Sequence, residues 1–229
     1  MTLLRMNKVE KIYRQGEEKI YALGGVNLKV EKGEFTTVFG PSGSGKTTLL
    51  NMVGCLDVPS SGEIFFKDRE LDTLSRNQRA KIRRHNIGFI FQSYNLIPVF
   101  SAFENVEFAI RLSKLKNKEN IKNRILKILK EVGLEGLEKR KPAQLSGGQK
   151  QRVAVARALV KKPGVVLADE PTANLDSKTG RGVIELMLKM NREFNTTFIF
   201  STHDPRIIDL ANRKIELRDG VITKDELKN

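Results

Sequence analysis

The eight residues from Gly40 to Thr47 constrain this chain more than any other part of its sequence. They read Gly-Pro-Ser-Gly-Ser-Gly-Lys-Thr and fit the pattern G-x-x-x-x-G-K-[ST]. A short apolar run at residues 35–39 enters this loop, and a helical pattern at residues 48–53 leaves it. This strand–loop–helix context predicts a nest of backbone N–H groups at a helix N-terminus, which is a binding site for phosphate groups.

The loop also supplies two side chains with different chemistry. We expect Lys46 to reach the β- and γ-phosphates of a nucleoside triphosphate, and the Thr47 hydroxyl to bind Mg²⁺. The predicted nucleotide-binding residues of this region are Gly40, Ser42, Gly43, Ser44, Gly45, Lys46, Thr47 and Thr48.

A second apolar run, at residues 165–168, ends in the carboxylates Asp169 and Glu170. Because parallel strands end at the ligand-binding edge of their sheet, we expect Asp169 opposite Thr47, where it would hold Mg²⁺. Glu170, one residue further on, is placed to polarise a water molecule at the γ-phosphate.

Composition limits the class of protein and its partners. The chain of 229 residues has one cysteine, Cys55, so it forms no internal disulfide, and no apolar run approaches bilayer-spanning length. The lack of a disulfide suits the cytoplasm, and the N-terminus lacks an apolar signal core. The net charge of +14, partly from residues 111–141, fits a solvated helical surface, an anionic membrane face or nucleic acid. Nucleic acid is disfavoured because the chain has no Trp and three Tyr.

Strand and helix patterns alternate along most of the chain and predict a parallel α/β core. Alternation at residues 4–13 and 26–30 predicts an antiparallel layer beside this core, with the first strand at an edge. Helical spacing from Ser101 to Leu134 predicts a separate helical lobe. A last helix and a hairpin that turns at Asp219-Gly220 close the chain.

The pentapeptide Leu-Ser-Gly-Gly-Gln at residues 145–149 narrows the class further. Ser146 can cap a helix, and the glycines after it expose N–H groups, which makes a second anion site. With this motif the chain resembles the ATP-binding cassette (ABC) ATPases, in which the pentapeptide is the signature sequence. The resemblance implies an α/β P-loop fold with a mainly parallel sheet, an antiparallel N-terminal layer and an inserted helical lobe. It implies one domain, 1–229, with the core at 1–92 and 163–229 and the lobe at about 93–162.

The resemblance implies further roles for single residues. Gln92 looks like the glutamine that touches Mg²⁺ or the attacking water, and His203 like the switch histidine that faces the γ-phosphate. Tyr13 looks like the aromatic residue that stacks on adenine, although an ordinary edge-strand tyrosine is the alternative. The implied catalytic residues are therefore Glu170, His203 and Gln92, and the implied metal ligands are Thr47, Gln92 and Asp169. Nucleotide contacts also come from Tyr13, Gln92 and His203.

In this family two subunits pair head to tail, and each ATP lies between the phosphate loop of one subunit and the signature of the other. The residues implied to bind nucleotide in trans are Ser146, Gly147, Gly148, Gln149 and Asp176. Asp176 belongs to Asn174-Leu175-Asp176, which resembles the loop that crosses the dimer interface.

The implied function is that of the ATPase subunit of an ABC transporter, with ATP as substrate and Mg²⁺ as cofactor. Its implied partners are a second copy when ATP is bound and a separate integral-membrane permease docked near residues 92–100, with no specific nucleic acid. It would lie in the cytoplasm, peripheral on the inner face of the cell membrane.

Residues 54–57, 92–98 and 104–106 resemble the lipoprotein-release and macrolide-efflux branch. The alternative is an ABC ATPase that acts as a mechanical or regulatory switch on a membrane partner without transport.

Overall fold

A computed structural model describes residues 1–113 and 118–228 of the chain. Its helices and strands follow one another as β1 (Thr2–Gln15), β2 (Glu18–Glu31), β3 (Phe35–Phe39), α1 (Lys46–Val53), β4 (Ser61–Phe66), β5 (Arg69–Glu70), α2 (Arg76–Asn86), β6 (Ile87–Ile90), α3 (Ala102–Leu112), α4 (Lys118–Glu131), α5 (Gly147–Leu159), β7 (Val165–Asp169), α6 (Ser177–Phe194), β8 (Thr197–Ser201), α7 (Pro205–Leu210), β9 (Arg213–Arg218) and β10 (Val221–Leu227). A single 3-10 turn, Pro142–Gln144, precedes α5.

The larger sheet has six strands in the order β10-β9-β3-β8-β7-β6. The pairs β6–β7, β7–β8, β8–β3 and β3–β9 are parallel, and β10 pairs antiparallel with β9 across the predicted turn. Strands β3, β7 and β8 are apolar and buried nearly throughout, as expected for a sheet covered on both faces. The parallel pairing confirms the predicted parallel α/β core. The carboxyl ends of these strands lie at one edge of the sheet, where the candidate functional site is found.

The smaller sheet is antiparallel, with strand order β2-β1-β4-β5. It confirms the predicted antiparallel layer, but the prediction that β1 is an edge strand is wrong. Residues 4–6 of β1 pair with β2 on one side, and residues 4–7 pair with residues 63–66 of β4 on the other. The alternation of apolar and polar residues in β1 shows which face of the strand is buried. It does not show which strands pair with β1, so the pairing with the later strand β4 was not predicted. Pairing with β4 stops at Glu10, and only β2 accompanies β1 towards Tyr13.

Helices α3, α4 and α5 pack on one another, as the helical pattern from Ser101 predicts. Residues 114–117 of that pattern lie outside the described residues. A capping box formed by Ser101 and Glu104 begins α3. Buried residues of α3 and α4, such as Val106 and Leu129, belong to the same apolar cluster as Ala168 of β7, so the helices are anchored on the sheet.

Helix α2 was not predicted. It is highly charged and buries only Ile82, so its apolar periodicity is weak. Its sequence signal is the capping box of Ser75 and Gln78, which satisfies two backbone donors at its start. Within the described ranges, no helix combines the length and the apolar character needed to cross a bilayer.

Candidate nucleotide-binding and catalytic site

The phosphate loop between β3 and α1 has a backbone that requires glycine. Gly40 and Gly45 have φ values of 151° and 99°, in the left-handed region that disfavours other residues. A Cβ atom on Gly40 would overlap the carbonyl of Leu217, and one on Gly45 would overlap the carbonyl of Ala22. The loop is therefore held between the backbones of β2 and β9, and its shape is fixed by the surrounding sheets.

Lys46 is 9% exposed and folds back over the loop. Its Nζ donates to the carbonyl oxygens of Gly40 and Pro41 at 2.9 and 2.8 Å. Because an ammonium group has three N–H donors, one remains for a phosphate oxygen. The buried hydroxyl of Ser44 finds no hydrogen-bond partner among the described residues. A buried polar atom without a partner is uncommon, and an oxyanion in the loop would satisfy it.

Thr47 and Asp169 meet as their positions at the sheet edge predict. The Thr47 hydroxyl lies 3.2 and 3.3 Å from the two carboxylate oxygens of Asp169. A hydroxyl and a carboxylate side by side are oxygen ligands of the kind that Mg²⁺ takes in proteins, with phosphates and waters completing its shell. The residues present therefore fit a magnesium ion.

Glu170 is held in place by two neighbours from the end of β8. The Thr202 hydroxyl donates to Oε2 at 3.2 Å, and His203 Nδ1 lies 2.8 Å from Oε1. The backbone of Glu170 is left-handed, with φ of 45°, which is uncommon for a residue with a side chain. The carboxylate thus has a fixed direction at the same edge as the phosphate loop.

The contact with Glu170 decides which nitrogen of His203 carries the proton. A carboxylate accepts hydrogen bonds, so Nδ1 is the donor and a neutral imidazole has its lone pair on Nε2. The role predicted for His203 is to face the γ-phosphate, and a hydrogen bond from Nε2 to a phosphate oxygen requires a proton on Nε2. In this arrangement that donation requires either an imidazolium ion or release of Nδ1 from Glu170.

Gln92 follows β6 and is joined to the 174–176 loop through its backbone. Its carbonyl accepts from Asn174 Nδ2 at 2.9 Å, and the Tyr94 hydroxyl donates to the Asn174 carbonyl at 3.4 Å. The Gln92 side chain is exposed and hydrogen-bonds to no predicted site residue in the described part of the chain. The structure therefore brings Thr47, Asp169, Glu170 and His203 together, and Gln92 is tied by its backbone to the 174–176 loop.

Tyr13 lies near the end of β1, beside the start of α1. Its hydroxyl donates to Asp57 Oδ2 at 3.0 Å, and its ring is 36% exposed. Burial raises the pKa of Tyr13, the bond to Asp57 raises it further, and the neighbouring Thr48 hydroxyl acts in the opposite direction. This contact with Thr48, the third residue of α1, brings the ring next to the phosphate loop.

The signature residues lie at the start of α5. Ser146 Oγ accepts from the N–H of Gln149 at 3.3 Å, and Gln149 Oε1 accepts from the N–H of Ser146 at 2.9 Å. In the described structure no acceptor faces the N–H groups of Gly147 and Gly148. A methyl group on Gly147 would meet Leu175 and Tyr94, and none of its neighbours belongs to residues 40–47.

Asp176 caps the next helix, α6. Its side chain accepts from the N–H of Thr179 at 2.9 Å, and hydrogen bonds from the Thr179 hydroxyl and from this N–H lower the pKa of Asp176. Thus both Ser146 and Asp176 already have partners in their own subunit.

Two polar contacts were missed in the sequence. Thr202 orients Glu170, and Asp57 holds Tyr13, although 32 and 44 residues separate the partners. The polar residues that follow the apolar strand β8 were a usable signal for Thr202, because the same strand end carries His203. No local pattern links Asp57 to Tyr13.

A groove of about 480 Å³ lies between α2, β6, α3 and α5. Its apolar lining includes Phe89, Phe108 and Leu112, and its cations are Arg83, Arg84, Arg157 and Lys161. Of the predicted docking stretch, residues 92–100, Asn95 and Ile97 reach this lining. No acidic residue lines it within the described ranges, and burial lowers the pKa of Lys161 to about 8.

The glycine nest, the folded-back lysine and the Thr47–Asp169 pair define a P-loop nucleoside triphosphatase. Comparison with known proteins gives the family: residues 23–173 match the profile described as ABC transporter. The chain belongs to the ATP-binding proteins of the ABC transporter family, and its activity is ATP hydrolysis.

Relatives support this assignment over the whole chain. The ABC transporter ATP-binding protein MJ0796 of Methanocaldococcus jannaschii is 45% identical over 227 residues, which cover 98% of this chain and 97% of that protein. Its dimeric structure in a post-hydrolysis state with ADP and Pi has a TM-score of 0.90, 44% identity and 99% coverage of both chains.

Two further relatives bear on the branch of the family. The lipoprotein-releasing system protein LolD of Idiomarina loihiensis is 42% identical over 224 residues, 98% of each chain. The macrolide export protein MacB of Syntrophobacter fumaroxidans is 44% identical over 223 residues, 97% of this chain and 31% of MacB. The predicted fold, family and resemblance to this branch are confirmed.

Proposed function

We propose that two copies of this chain close head to tail on two Mg·ATP and drive a separate permease in the membrane. Each ATP lies between the phosphate loop of one copy and the signature of the other, and hydrolysis reopens the pair. The permease is of the lipoprotein-release or macrolide-efflux type, and the ATPase acts at the inner face of the cell membrane. The names of LolD and MacB and the dimeric state of MJ0796 support this proposal.

One observation carries the proposal: the chain has two backbone anion sites that do not meet. The first site is the loop at 40–47, where the side chains of Lys46 and Thr47 lie with Asp169 of β7. The free N–H groups of Gly147 and Gly148 stand at another helix start, with neighbours from residues 94 and 174–179. A second copy related by a two-fold axis can bring the two sites onto one triphosphate.

Magnesium fits the first of these sites. Thr47 and Asp169 would hold the ion directly or through water, and the Gln92 side chain is free to approach it. When bound, Mg²⁺ neutralises negative charge on the β- and γ-phosphate oxygens. Lys46 binds the same oxygens, while the loop carbonyls of Gly40 and Pro41 keep its ammonium in position.

Glu170 activates the attacking water. Its carboxylate accepts a proton from the water as the oxygen approaches the γ-phosphorus. Thr202 and His203 hold the two carboxylate oxygens, so the base is oriented before substrate arrives. His203 senses the γ-phosphate once its bond to Glu170 is rearranged, and Tyr13 stacks on the base.

The groove lined by Phe108 and Leu112 receives a short amphipathic helix of the permease. Phe108 is 43% exposed and Leu112 53%, so the groove offers apolar area to a partner. The four cations of the groove favour a helix that carries acidic residues.

The rate of hydrolysis per subunit tests the ATPase mechanism. Because the active species is a dimer, the specific activity should rise with protein concentration until the dimer is saturated. A specific activity that is constant over a wide range of low concentrations would contradict the shared-nucleotide site.

Binding of the chain to membranes of the native cell tests the docking site. Phe108→Glu should lower the amount of ATPase that sediments with the permease, whereas Leu210→Glu, at an apolar residue of α7 that is 38% exposed, should not. Equal retention of both variants would place the permease elsewhere.

A further inference from the structure

Three side chains meet where β1 passes the loop after α1. Lys11 Nζ lies 2.9 Å from Asp57 Oδ2, and the Tyr13 hydroxyl donates to the same oxygen at 3.0 Å. Lys11 Nζ also lies over the Tyr13 ring, 4.8 Å from its centroid. The tyrosine is thus held both at its hydroxyl and at one face of its ring.

This cluster is anchored on the backbone of the loop. Lys11 donates to the Val58 carbonyl at 2.8 Å, and Asp57 Oδ1 accepts from the Val58 N–H at 2.7 Å. Lys11 is 9% exposed, which is rare for a lysine without partners. Burial alone would raise the pKa of Asp57, but its bonds to Lys11, Val58 and Tyr13 outweigh burial and lower it, so the carboxylate is ionised.

The ammonium on one face of the ring leaves the other face for a ligand. A cation within about 6 Å of a ring centroid is attracted to the negative face of the ring, so Lys11 occupies that side. Aromatic bases stack on a free ring face, and the energy gained depends on the angle and height of the ring.

We propose that Lys11 and Asp57 are positioning residues of the base site: they fix the Tyr13 ring so that its face opposite Lys11 stacks on the base of the nucleotide. The inference rests on the proposed function, in which Tyr13 is the residue under the base. The Asp57 hydrogen bond sets the rotation of the ring, and Lys11 decides which face is free.

The test compares two probes on the same variants, Mg·ATP and Mg·tripolyphosphate, by isothermal titration calorimetry. Tripolyphosphate reports the phosphate loop and has no base. Tyr13→Phe and Asp57→Ala should each lower ATP affinity about 2- to 10-fold, the range of one hydrogen bond. The double variant should lose no more than either single one, because both remove the same contact. Tripolyphosphate affinity should stay unchanged in all three, which also shows that they are folded.

Matched controls use the same sheet. Glu10→Gln removes a carboxylate of β1 that bonds to Ser61, and Tyr21→Phe removes the hydroxyl of a tyrosine that is 64% exposed on β2. Both should bind ATP like the unchanged protein. Lys46→Ala should weaken the binding of both ATP and tripolyphosphate. If it does not, the proposed phosphate site is wrong, and this outcome is distinct from a failure of the inference about Asp57.

Three results would overturn the inference. Unchanged ATP affinity in Asp57→Ala means that the Tyr13 ring binds the base without the hydrogen bond to Asp57. Equal losses for ATP and tripolyphosphate mean that Asp57 acts on the loop and not on the base. Additive losses in the double variant mean that Tyr13 and Asp57 act separately.

Discussion

The phosphate loop and the signature segment both present backbone N–H groups at a helix start, but they use their side chains differently. At the loop, Lys46 and Thr47 point into the site and are joined by Asp169 from β7. At the signature, the side chains of Ser146 and Gln149 bond to the backbone of their own helix start. The first region offers a charge and side-chain oxygens that suit Mg²⁺, and the second offers mainly backbone N–H groups.

This difference indicates what each region can do alone. The loop has a cation, a fixed shape and a Ser44 hydroxyl without a partner in the described part of the chain, so we expect one copy to bind a nucleotide. The signature has two free N–H groups, which are too few for binding by themselves and suited to a phosphate that another copy already holds. Changes at the loop should therefore affect binding, and changes at the signature should affect hydrolysis alone.

The largest effect is expected for Lys46→Ala. Removing a charge-assisted contact to the phosphates should lower ATP affinity about 100-fold, and hydrolysis should be lost with it. Equilibrium titration with a fluorescent ATP analogue measures this. Lys189→Ala, which removes an exposed lysine of α6, is the control and should bind normally. Full affinity in Lys46→Ala would mean that the phosphates bind elsewhere.

Ser146→Arg should separate binding from hydrolysis. The new side chain breaks the capping box and blocks the N–H groups of Gly147 and Gly148, so hydrolysis should fall to background. ATP affinity of the isolated subunit should stay within about twofold, because the loop is untouched. Steady-state phosphate release and the same titration measure the two effects. If this variant failed to bind ATP as a monomer, the signature would belong to its own subunit's site.

A smaller effect is expected for Tyr13→Ala. Loss of stacking should weaken ATP binding by roughly 1–3 kcal/mol, and GTP binding by a similar amount, since stacking tolerates any base. Competition titration with both nucleotides measures the change. Unaltered affinity for both would make Tyr13 an ordinary residue of the strand.

The smallest effect is expected for Asp176→Ala, which removes a helix cap and leaves the phosphate loop unchanged. The melting temperature should fall by a few degrees at pH 7, and the isolated subunit should keep its ATP affinity. Because folding lowers the pKa of Asp176, its contribution is present above the unfolded pKa of about 3.9 and is lost as the pH falls through the folded value. The difference between the variant and the unchanged protein should shrink below about pH 4 in thermal melts. A difference that persists at pH 2 would exclude the carboxylate as its cause.

The sequence predicts the loop region well because its chemistry is local. The glycines, Lys46 and Thr47 are adjacent in the chain, and the strand pattern before Asp169 gives its place at the sheet edge. The contacts of Asp57 with Tyr13 and of Thr202 with Glu170 join distant segments, and only the folded sheets bring them together. The interior position of β1 was missed for the same reason, since strand neighbours depend on later parts of the chain.

The most direct test of the shared nucleotide site is the oligomeric state of Glu170→Gln. The amide keeps the size of the side chain but does not take the proton of the water, so hydrolysis should fall by about 10²–10⁴-fold while binding survives. ATP then remains between the two copies, and gel filtration should show a dimer with ATP and a monomer with ADP or without nucleotide. A monomer under all three conditions, or the same dimer under all three, would contradict the account.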